Sequence, residues 1–493
     1  MRILYITHQY FPRHIGGTEI LVRGLVAHML ALGNEPVVLT FVEAQKRLDA
    51  DTWFNITEFE GAPLWELHHS LGLAEHPARA EFDNPALAEL VARAAAELKP
   101  DVVHAVHVMK FSAALLPRLK SAGFPVVATL CDFWALCMRH TFLKPEGTIC
   151  ETGPDHAYRC LHCAQATHGF AKPAKPWSGE EELVKLATEA AQESAYPDTS
   201  FRRDVLALAD RRDSLQAAFL SCDRILALSN FQRSVFVQHG YPSDRIDVVP
   251  HGMDTRNLAG VRERRQQEAL ANPAGRKRVV FMGTLTEHKG VHVLLEAMRT
   301  IPEVDLQLDI YGGHGVDASY VDRLNHLASS DARISFKGTV PPEQLGEVLC
   351  GAAALALPAL LFGTTVAKTA LYCGVPVAVS DSGALAELVD HTDLGWLLPA
   401  GEVSAWAEWL KSVAQTPLRV VDRPPSIPTA RDFAGQMLAV YESVKKATFH
   451  KDAGGKSARG VFSRIETYLG NLWRSKRSGP TGRLKEHHPS SQS

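Results

Sequence analysis

Residues 278–297 read RVVFMGTLTEHKGVHVLLEA, and this stretch gives the clearest indication of the fold. Its first part, 279–282, is a short apolar run with β-branched residues, which favours a strand buried on both faces. Gly283 ends the strand, a polar loop follows, and apolar residues recur at helical spacing after Gly290. The stretch therefore predicts a strand, a glycine-containing loop and a helix, which is the repeating unit of a parallel α/β sheet.

The start of this predicted helix is suited to a phosphate group. A helix N-terminus offers unpaired backbone N–H groups and a partial positive charge, and Lys289 would add a full charge beside them. The alternative is an ordinary turn between strand and helix with a solvated lysine, because many such turns carry glycine without binding anything.

Length and composition exclude several classes of protein. The 493 residues predict two to four domains, and 46% hydrophobic residues are typical of a globular protein. A net charge of −3 argues against a nucleic-acid partner. The first apolar run is too short for a secretory signal, and the eight cysteines, half of them clustered, do not suggest a secreted disulfide scaffold. We therefore expect a cytoplasmic protein.

The N-terminal region opens with a strand at 2–6, a loop with Gly16 and Gly17, a helix, and a second strand at 37–41. Paired glycines before a helix let a ligand approach the backbone, although a simple loop–helix junction is the alternative. His107 ends the predicted strand at 102–107, and Asp132 follows the strand at 125–130. Ligands of open α/β sheets bind at such strand ends, whereas histidines on buried strands are more often structural.

Four cysteines are clustered in a polar, Gly- and Pro-containing segment. Cys137, Cys150, Cys160 and Cys163 have the spacing C-x12-C-x9-C-x2-C. A C-x2-C pair lets two thiolates reach one tetrahedral metal, and two more complete a closed site. We predict a structural zinc ion, with free cysteines, a redox pair or an iron–sulfur cluster as alternatives. One of the ligands can also be a neighbouring histidine: His140, His156 or His162.

The second half repeats the alternation of strands and helices. Strands are predicted at 306–311 and 334–337, the latter ending in a loop that contains Val340. A polar segment at 254–277 reads as a linker, and 430–444 as a helix. Apolar residues at helical spacing within the basic segment 458–477 predict an amphipathic helix, which lies on an anionic membrane or docks on the body of the protein or a partner.

These motifs, in this order, resemble those of the family 4 retaining glycosyltransferases. The resemblance rests on P-x-x-x-G-G-x-E at 12–19, V-V-P-H-G-M-D at 248–254 and the K-G pair at 289–290, and it covers roughly residues 1–445. It implies the GT-B fold, an α/β architecture of two Rossmann-like domains facing a central cleft. A subset of these enzymes carries a similar Cys-rich insertion.

The resemblance divides the chain into five parts. They are an N-terminal Rossmann-like domain on the acceptor side (1–253, with the Cys-rich insertion at about 137–163), a linker (254–277), a C-terminal nucleotide-sugar-binding domain (278–429), a terminal helix crossing back to the first domain (430–447) and a basic tail (448–493).

The resemblance also implies a reaction. A sugar would move from a nucleotide-diphosphate-sugar donor to a glycan, lipid-linked or other acceptor with retention of configuration, without a catalytic metal. Candidates for catalysis are His107 and Asp132. The residues implied in donor binding are Gly16, Gly17, Thr284, Lys289, Val340, Thr364, Thr365, Lys368 and Thr369. The tail would give peripheral contact with the inner face of the membrane.

The chain departs from the family pattern at four positions. The family has an Arg where Thr284 stands, a His where Cys131 stands, and two glutamates where Leu361 and Thr369 stand. Lys368 offers a replacement charge, with a solvated lysine as the alternative. The departures leave a second reading open, a non-catalytic glycosyltransferase-like binding or scaffold protein. A nicotinamide dehydrogenase is disfavoured because no G-x-G-x-x-G follows the first strand.

Overall fold

The structure is a computed structural model of the chain. It describes residues 1–44, 52–70, 76–150, 157–169, 172–173, 177–271, 277–313, 318–341, 343–360, 364–389, 393–421 and 427–452. The described residues up to Lys445 form one compact unit. The predicted amphipathic helix at 458–477 lies outside the described residues, so it and its membrane contact stay predictions. Among the described helices, none is both long and apolar enough to span a membrane.

The described residues of the N-terminal half build an eight-stranded sheet. Its strands are β1 (Arg2–Thr7), β2 (Glu35–Glu43), β3 (Trp53–Phe59), β4 (Ala62–His69), β5 (Val102–Ala105), β6 (Val126–Leu130), β7 (Arg224–Ala227) and β8 (Ile246–Val248). Their order is β3-β4-β2-β1-β5-β6-β7-β8, and only the β3–β4 hairpin at the edge is antiparallel. This hairpin was not predicted from the sequence.

Helices cover both faces of this sheet. They are α1 (Gly17–Ala31), α2 (Pro77–Ala80), α3 (Pro85–Leu98), α4 (Leu115–Ser121), α5 (Cys160–His168), α6 (Glu180–Gln192), α7 (Ser200–Leu220) and α8 (Asn230–Gln238). Alternate residues of β1 enter two cores: Leu4 packs with Val91 of α3, and Tyr5 packs with Leu25 of α1. This two-sided burial is why β1 is apolar throughout.

The second sheet has six strands in the described ranges, and all its neighbouring strands are parallel. They are β9 (Lys277–Met282), β10 (Leu306–Tyr311), β11 (Ile334–Gly338), β12 (Ala354–Leu357), β13 (Val377–Ser380) and β14 (Gly395–Leu398), in the order β11-β10-β9-β12-β13-β14. The accompanying helices are α9 (Val261–Ala271), α10 (Val291–Thr300), α11 (Ala318–Ala328), α12 (Leu345–Cys350), α13 (Thr364–Tyr372), α14 (Val403–Gln415) and α15 (Ala430–Asp452). The predicted architecture of two Rossmann-like sheets is confirmed.

Strand order locates the place where a ligand would bind. The order reverses between β1 and β5 in the first sheet and between β9 and β12 in the second. Open α/β sheets bind ligands at the carboxyl ends of the strands beside such a reversal. The loops that follow these four strands are therefore the expected binding loops.

The segment predicted as a linker contains helix α9. Its one fully buried polar side chain among the described residues is Arg265, whose guanidinium donates to the carbonyls of Cys350 (2.9 Å), Ala352 (2.5 Å), Gly374 (3.0 Å) and Arg419 (2.6 Å). The arginine satisfies carbonyls at the ends of several elements. Because residues 254–277 are mostly polar, the sequence did not indicate that one of their arginines is buried.

The chain crosses between the two sheets at Met253 and again at Thr429, and the two crossings are hydrogen-bonded to each other. Met253 N–H donates to Pro428 (2.9 Å), and Ala430 N–H donates to the carbonyl of Met253 (2.8 Å). Gly252 has no room for a side chain, since a Cβ there would lie 2.4 Å from the carbonyl oxygen of Thr429.

Helix α15 returns to the first sheet, where it is anchored by a buried histidine. His104 on β5 bonds the hydroxyl of Tyr441 through Nδ1 (2.7 Å) and that of Thr129 on β6 through Nε2 (2.7 Å). Burial lowers the pKa of His104 to about 3, so the imidazole is neutral at pH 7. His104 is therefore a structural residue.

Replacing Gly252 by alanine is expected to lower the free energy of unfolding by about 1–3 kcal/mol, because the added methyl group meets backbone that cannot move away. The control is Gly435→Ala: Gly435 lies in the exposed face of α15, and no described atom is within 4 Å of the position that its Cβ would take. This change should raise stability by up to about 1 kcal/mol. Urea unfolding of both variants tests the prediction, and equal effects would contradict it.

Stability is expected to fall as the pH is lowered from about 6.5 toward 3, because His104 gains a proton on unfolding over this window. Below its ordinary pKa the unfolded state binds a proton that the folded state excludes, at a cost of about 1.4 kcal/mol per pH unit. His104→Gln should be less stable at pH 7 but lose less stability between pH 6.5 and 5. Part of the slope should remain, since burial also lowers the pKa of His251 to about 3. Identical slopes in urea titrations of wild type and variant would refute this.

Candidate functional site

The loop after β9, here called the donor loop (residues 283–290), leads into α10. It contains a turn of 3-10 helix at Glu287–Lys289 and ends at Gly290, which has a φ of 72°. A Cβ on Gly290 would lie 2.1 Å from the carbonyl oxygen of Pro358, and Leu360 N–H donates to His288 (2.9 Å). Glycine is thus required at 290 both by its conformation and by close packing. The loops after β9 and β12 meet at the predicted binding edge.

Lys289 lies directly before the N-terminus of α10 and is partly buried. Burial lowers its pKa to about 8, so the amine is still mostly protonated at pH 7. A phosphate group beside it would favour the charged form further. Lys289 thus lies beside the helix start, as the sequence predicts, and Thr284 at the start of the loop is exposed to solvent.

The N-terminus of α1 differs from the simple anion site expected at Gly16 and Gly17. The buried carboxylate of Glu19 accepts the N–H groups of Gly16 and of its own residue, so part of the helix end is already capped. Burial raises the pKa of Glu19. At Gly17, no described atom lies within 4 Å of the place where a Cβ would stand. The open approach to α1 is therefore at Gly17.

His107 and Asp132 form a hydrogen-bonded pair at the carboxyl ends of β5 and β6. Met109 N–H donates to Nδ1 of His107 (3.2 Å), so the ring proton is on Nε2, which donates to Oδ2 of Asp132 (3.1 Å). Burial alone would raise the pKa of Asp132, but His107 and the N–H of Trp134 hold that pKa well below its usual range. Asp132 is therefore an ionised hydrogen-bond acceptor with a fixed orientation.

Three further side chains surround this pair, and none of them was predicted from the sequence to belong to the site. The His8 ring lies 4.4 Å from that of His107, and its buried Nδ1 has no hydrogen-bond partner within the described ranges. His140 faces Asp132 from the Cys-rich segment, and burial lowers its pKa. Lys110 has a φ of 71° and interacts with the charge of Glu19. The sequence did contain one indication for two of them: His8 and Lys110 come shortly after the ends of β1 and β5, where ligands of such sheets bind.

Cys131, which stands where the family has histidine, does not replace it chemically. Its Sγ donates to the carbonyl of Val106 (3.2 Å), and burial raises the pKa of the thiol far above its usual range. The thiol is therefore protonated at neutral pH and occupied by a backbone partner.

The predicted donor-binding residues in and near α13 do not lie together. Lys368 is buried and donates to the carbonyl of His251 (2.9 Å) near the chain crossing, and Thr369 donates to Thr365 within its own helix (2.9 Å). Thr364 and Thr365 form the first turn of α13. Val340 is partly exposed after β11. Leu361 lies outside the described residues.

The loops of both halves meet in one cleft. A Cβ on Gly147 of the Cys-rich segment would lie 2.7 Å from Oε1 of Glu287 in the donor loop, and His140 interacts with His288. Farther along the cleft, the carboxylate of Glu387 accepts the N–H groups of Asn230 and Phe231 at the start of α8. The donor loop and the His107–Asp132 pair are thus parts of the same site region.

The four clustered cysteines are free thiols and line one cavity of about 30 Å³. Cys137 and Cys150 flank a hairpin in which Leu143 pairs with Ile149, whereas Cys160 and Cys163 lie in the first turn of α5. Burial raises the pKa of Cys160 and Cys163 to about 12. Across the described residues, no group of three or more His, Cys, Asp or Glu side chains is already arranged to hold a metal ion.

Comparison with known proteins places these features in a family. Residues 16–252 match the family described as "Glycosyl transferase 4-like domain", and residues 262–421 match "Glycosyl transferases group 1". The chain is 30% identical over 240 residues to the D-inositol 3-phosphate glycosyltransferase of Corynebacterium glutamicum (strain R), a match that covers 46% of this chain and 56% of the relative. The chain spans about half the length of the curated relatives it matches.

Solved structures share the architecture along most of the chain. Sucrose-phosphate synthase from Thermosynechococcus elongatus is 18% identical with a TM-score of 0.58, and the match covers 90% of this chain and 99% of that one. Anabaena HepE, in complex with UDP and glucose, is 18% identical with a TM-score of 0.52 and coverages of 90% and 98%. These likenesses establish the fold. The two family models together match most of the chain, and they place it among the glycosyltransferases, in agreement with the GT-B fold.

Proposed function

We propose that this protein is a retaining glycosyltransferase that moves a sugar from a nucleotide-diphosphate-sugar donor to a glycan, lipid-linked or other hydroxyl-bearing acceptor. The observation that carries the proposal is the position of Lys289 at the N-terminus of α10, in the same cleft as the His107–Asp132 pair. The first can hold a diphosphate, and the second can orient a sugar hydroxyl. Family membership supports the reaction class.

The donor loop would stabilise the leaving group. Negative charge develops on the diphosphate as the bond to the sugar breaks, and the Lys289 ammonium supplies positive charge there, together with the positive end of the α10 dipole. The N–H groups of Val291 and His292 face the hydroxyl of Tyr320, so the larger part of this role falls to the lysine. Thr284, Thr364 and Thr365 would add hydroxyl and N–H donors, and the loop at Val340 would contact the base. In line with the family resemblance, we propose that the chemistry needs no metal ion.

The acceptor side would be organised by the first sheet. Asp132 is ionised and oriented by His107, so it can accept a hydrogen bond from a sugar hydroxyl but cannot donate one. Gly17 would allow close approach to the start of α1. The carboxylate of Glu19 faces the same region, and Lys110 offsets its charge. HepE binds UDP, which makes a uridine diphosphate sugar the first donor to test here.

A non-catalytic binding protein is the second candidate, and specific contacts favour it. Thr369 stands where the family has a glutamate, but its hydroxyl donates to Thr365. Lys368, the predicted replacement for a missing charge, donates to the carbonyl of His251. Cys131 offers no group that titrates near neutral pH. A protein that keeps the donor loop, but in which Lys368, Thr369 and Cys131 bond to other parts of the chain, would bind a nucleotide without transferring a sugar.

Thermal unfolding with UDP, GDP, ADP and their sugars tests donor binding. We expect one nucleotide to stabilise the wild type, and Lys289→Ala to weaken its binding roughly tenfold to hundredfold, because a charged hydrogen bond to phosphate is lost. Lys411→Ala, an exposed lysine on α14, is the matched control and should bind as wild type. Absence of stabilisation by every nucleotide would refute the donor site. Binding without release of sugar from any donor would favour the second candidate.

The Gly17→Ala variant distinguishes an effect on ligand affinity from an effect on the stability of the fold. Because the space beside Gly17 is open, the variant should unfold at the same urea concentration as wild type. If the donor or acceptor approaches the backbone here, its affinity should fall by roughly tenfold or more, since the methyl group occupies the approach. Calorimetric titration of both proteins measures this. Unchanged affinity for donor and acceptor would remove Gly17 from the site.

A further inference from the structure

Four cysteines that are distant in sequence converge on one cavity. Cys137 follows the turn after β6, Cys150 closes the hairpin by donating its N–H to Phe142 (2.7 Å), and Cys160 and Cys163 begin α5. Every pair among the four thiols is close enough to interact electrostatically. Cys160 and Cys163 are close because they share one helical turn. Cys137 and Cys150 reach the same cavity only through the packing of the chain.

Polar groups lie beside the sulfur atoms. The N–H groups of Arg139 and Phe142 donate to the Cys137 sulfur, which is the way backbone stabilises a charged sulfur ligand. Lys144, Arg159 and Glu180 line the same cavity, and Glu180 pairs with both cations (3.7 and 3.9 Å). The lining therefore leaves a net positive charge beside four thiolates and a divalent cation. A cavity of about 30 Å³ is large enough for a single ion.

We propose that Cys137, Cys150, Cys160 and Cys163 bind one zinc ion as a closed, structural tetrathiolate site. As the side chains stand, no three described ligands are already arranged around a metal, so the four sulfur atoms must turn toward the cavity centre when zinc binds. Loading releases the thiol protons to solvent and forms four Zn–S bonds, with no redox change.

The site would act on the cleft through the hairpin that Cys137 and Cys150 flank. The hairpin brings Gly147 against Glu287 of the donor loop and carries His140 to Asp132. The base of the hairpin packs through Phe142 into the core of the first sheet, and Met138, Leu161 and Leu183 belong to a smaller core nearby. Residues 144–149, which include Gly147, belong to neither core. Zinc would therefore order one wall of the cleft, whatever reaction the cleft performs.

Metal analysis of the full chain, purified without chelator, tests the proposal. We expect one zinc per chain in the wild type and a loss of most of it in Cys160→Ser/Cys163→Ser. Cys350→Ala, at a buried cysteine outside the cluster, should keep one zinc. Replacement by Co²⁺ should give the intense sulfur-to-metal charge-transfer bands of a tetrahedral tetrathiolate. No stoichiometric metal in the wild type, iron with inorganic sulfide instead of zinc, or zinc retained by the double variant would each overturn it.

Hydrogen exchange of the wild type gives a second readout that is independent of activity and of variant folding. Removing zinc with a chelator should raise the exchange of hairpin amides at 138–150 by tenfold or more, with a smaller increase at 284–290, while the amides of β9 stay protected. Exchange that is unchanged after complete removal of zinc would refute the effect on the cleft. Nucleotide binding, tested above, can fail without affecting either measurement.

Discussion

The paired chain crossings at Met253 and Thr429 hold the two halves of the site together. Each sheet could form its own core without the other, but the cleft exists only because the two sheets are joined at a defined place. Hydrogen bonds between the crossings and the absence of a side chain at Gly252 bring the strands into contact. Lys368 reinforces the same place by binding the carbonyl of His251. Lys368, which was predicted to bind the donor, thus stabilises the connection between the two sheets.

Charge is divided unequally across the cleft. The donor loop contributes Lys289 and a helix N-terminus, whereas the opposite side contributes Glu19 and Asp132 beside His8, His107 and Lys110. An anionic leaving group is attracted to the first side and repelled by the carboxylates of the second. This polarity would orient a donor with its diphosphate toward α10 and its sugar toward Asp132.

The departures from the family pattern have physical consequences of different size. Replacing a histidine by Cys131 removes a group that can exchange protons, since the buried thiol stays protonated. Replacing a glutamate by Thr369 removes an acceptor, because its hydroxyl is used inside α13. The loss at Thr284 is milder, because Lys289 and the start of α10 still provide positive charge. In the proposed reaction, chemistry on the sugar would therefore be more affected than binding of the diphosphate.

Local patterns in the sequence were enough to predict the alternation of strands and helices, the two parallel sheets and the position of Lys289, because these follow from periodicity and from glycine at strand ends. The spacing of the four cysteines also indicated them as a group. The packing of the chain was needed to separate His104, which bonds to Tyr441, from His107, which pairs with Asp132, since both lie in one apolar run that was predicted as a single strand. The strand β5 itself ends at Ala105. It was needed as well to place Glu19 on the end of α1 and Gly147 against the donor loop. Contacts between residues far apart in the chain depend on how the elements pack, and no local pattern records them.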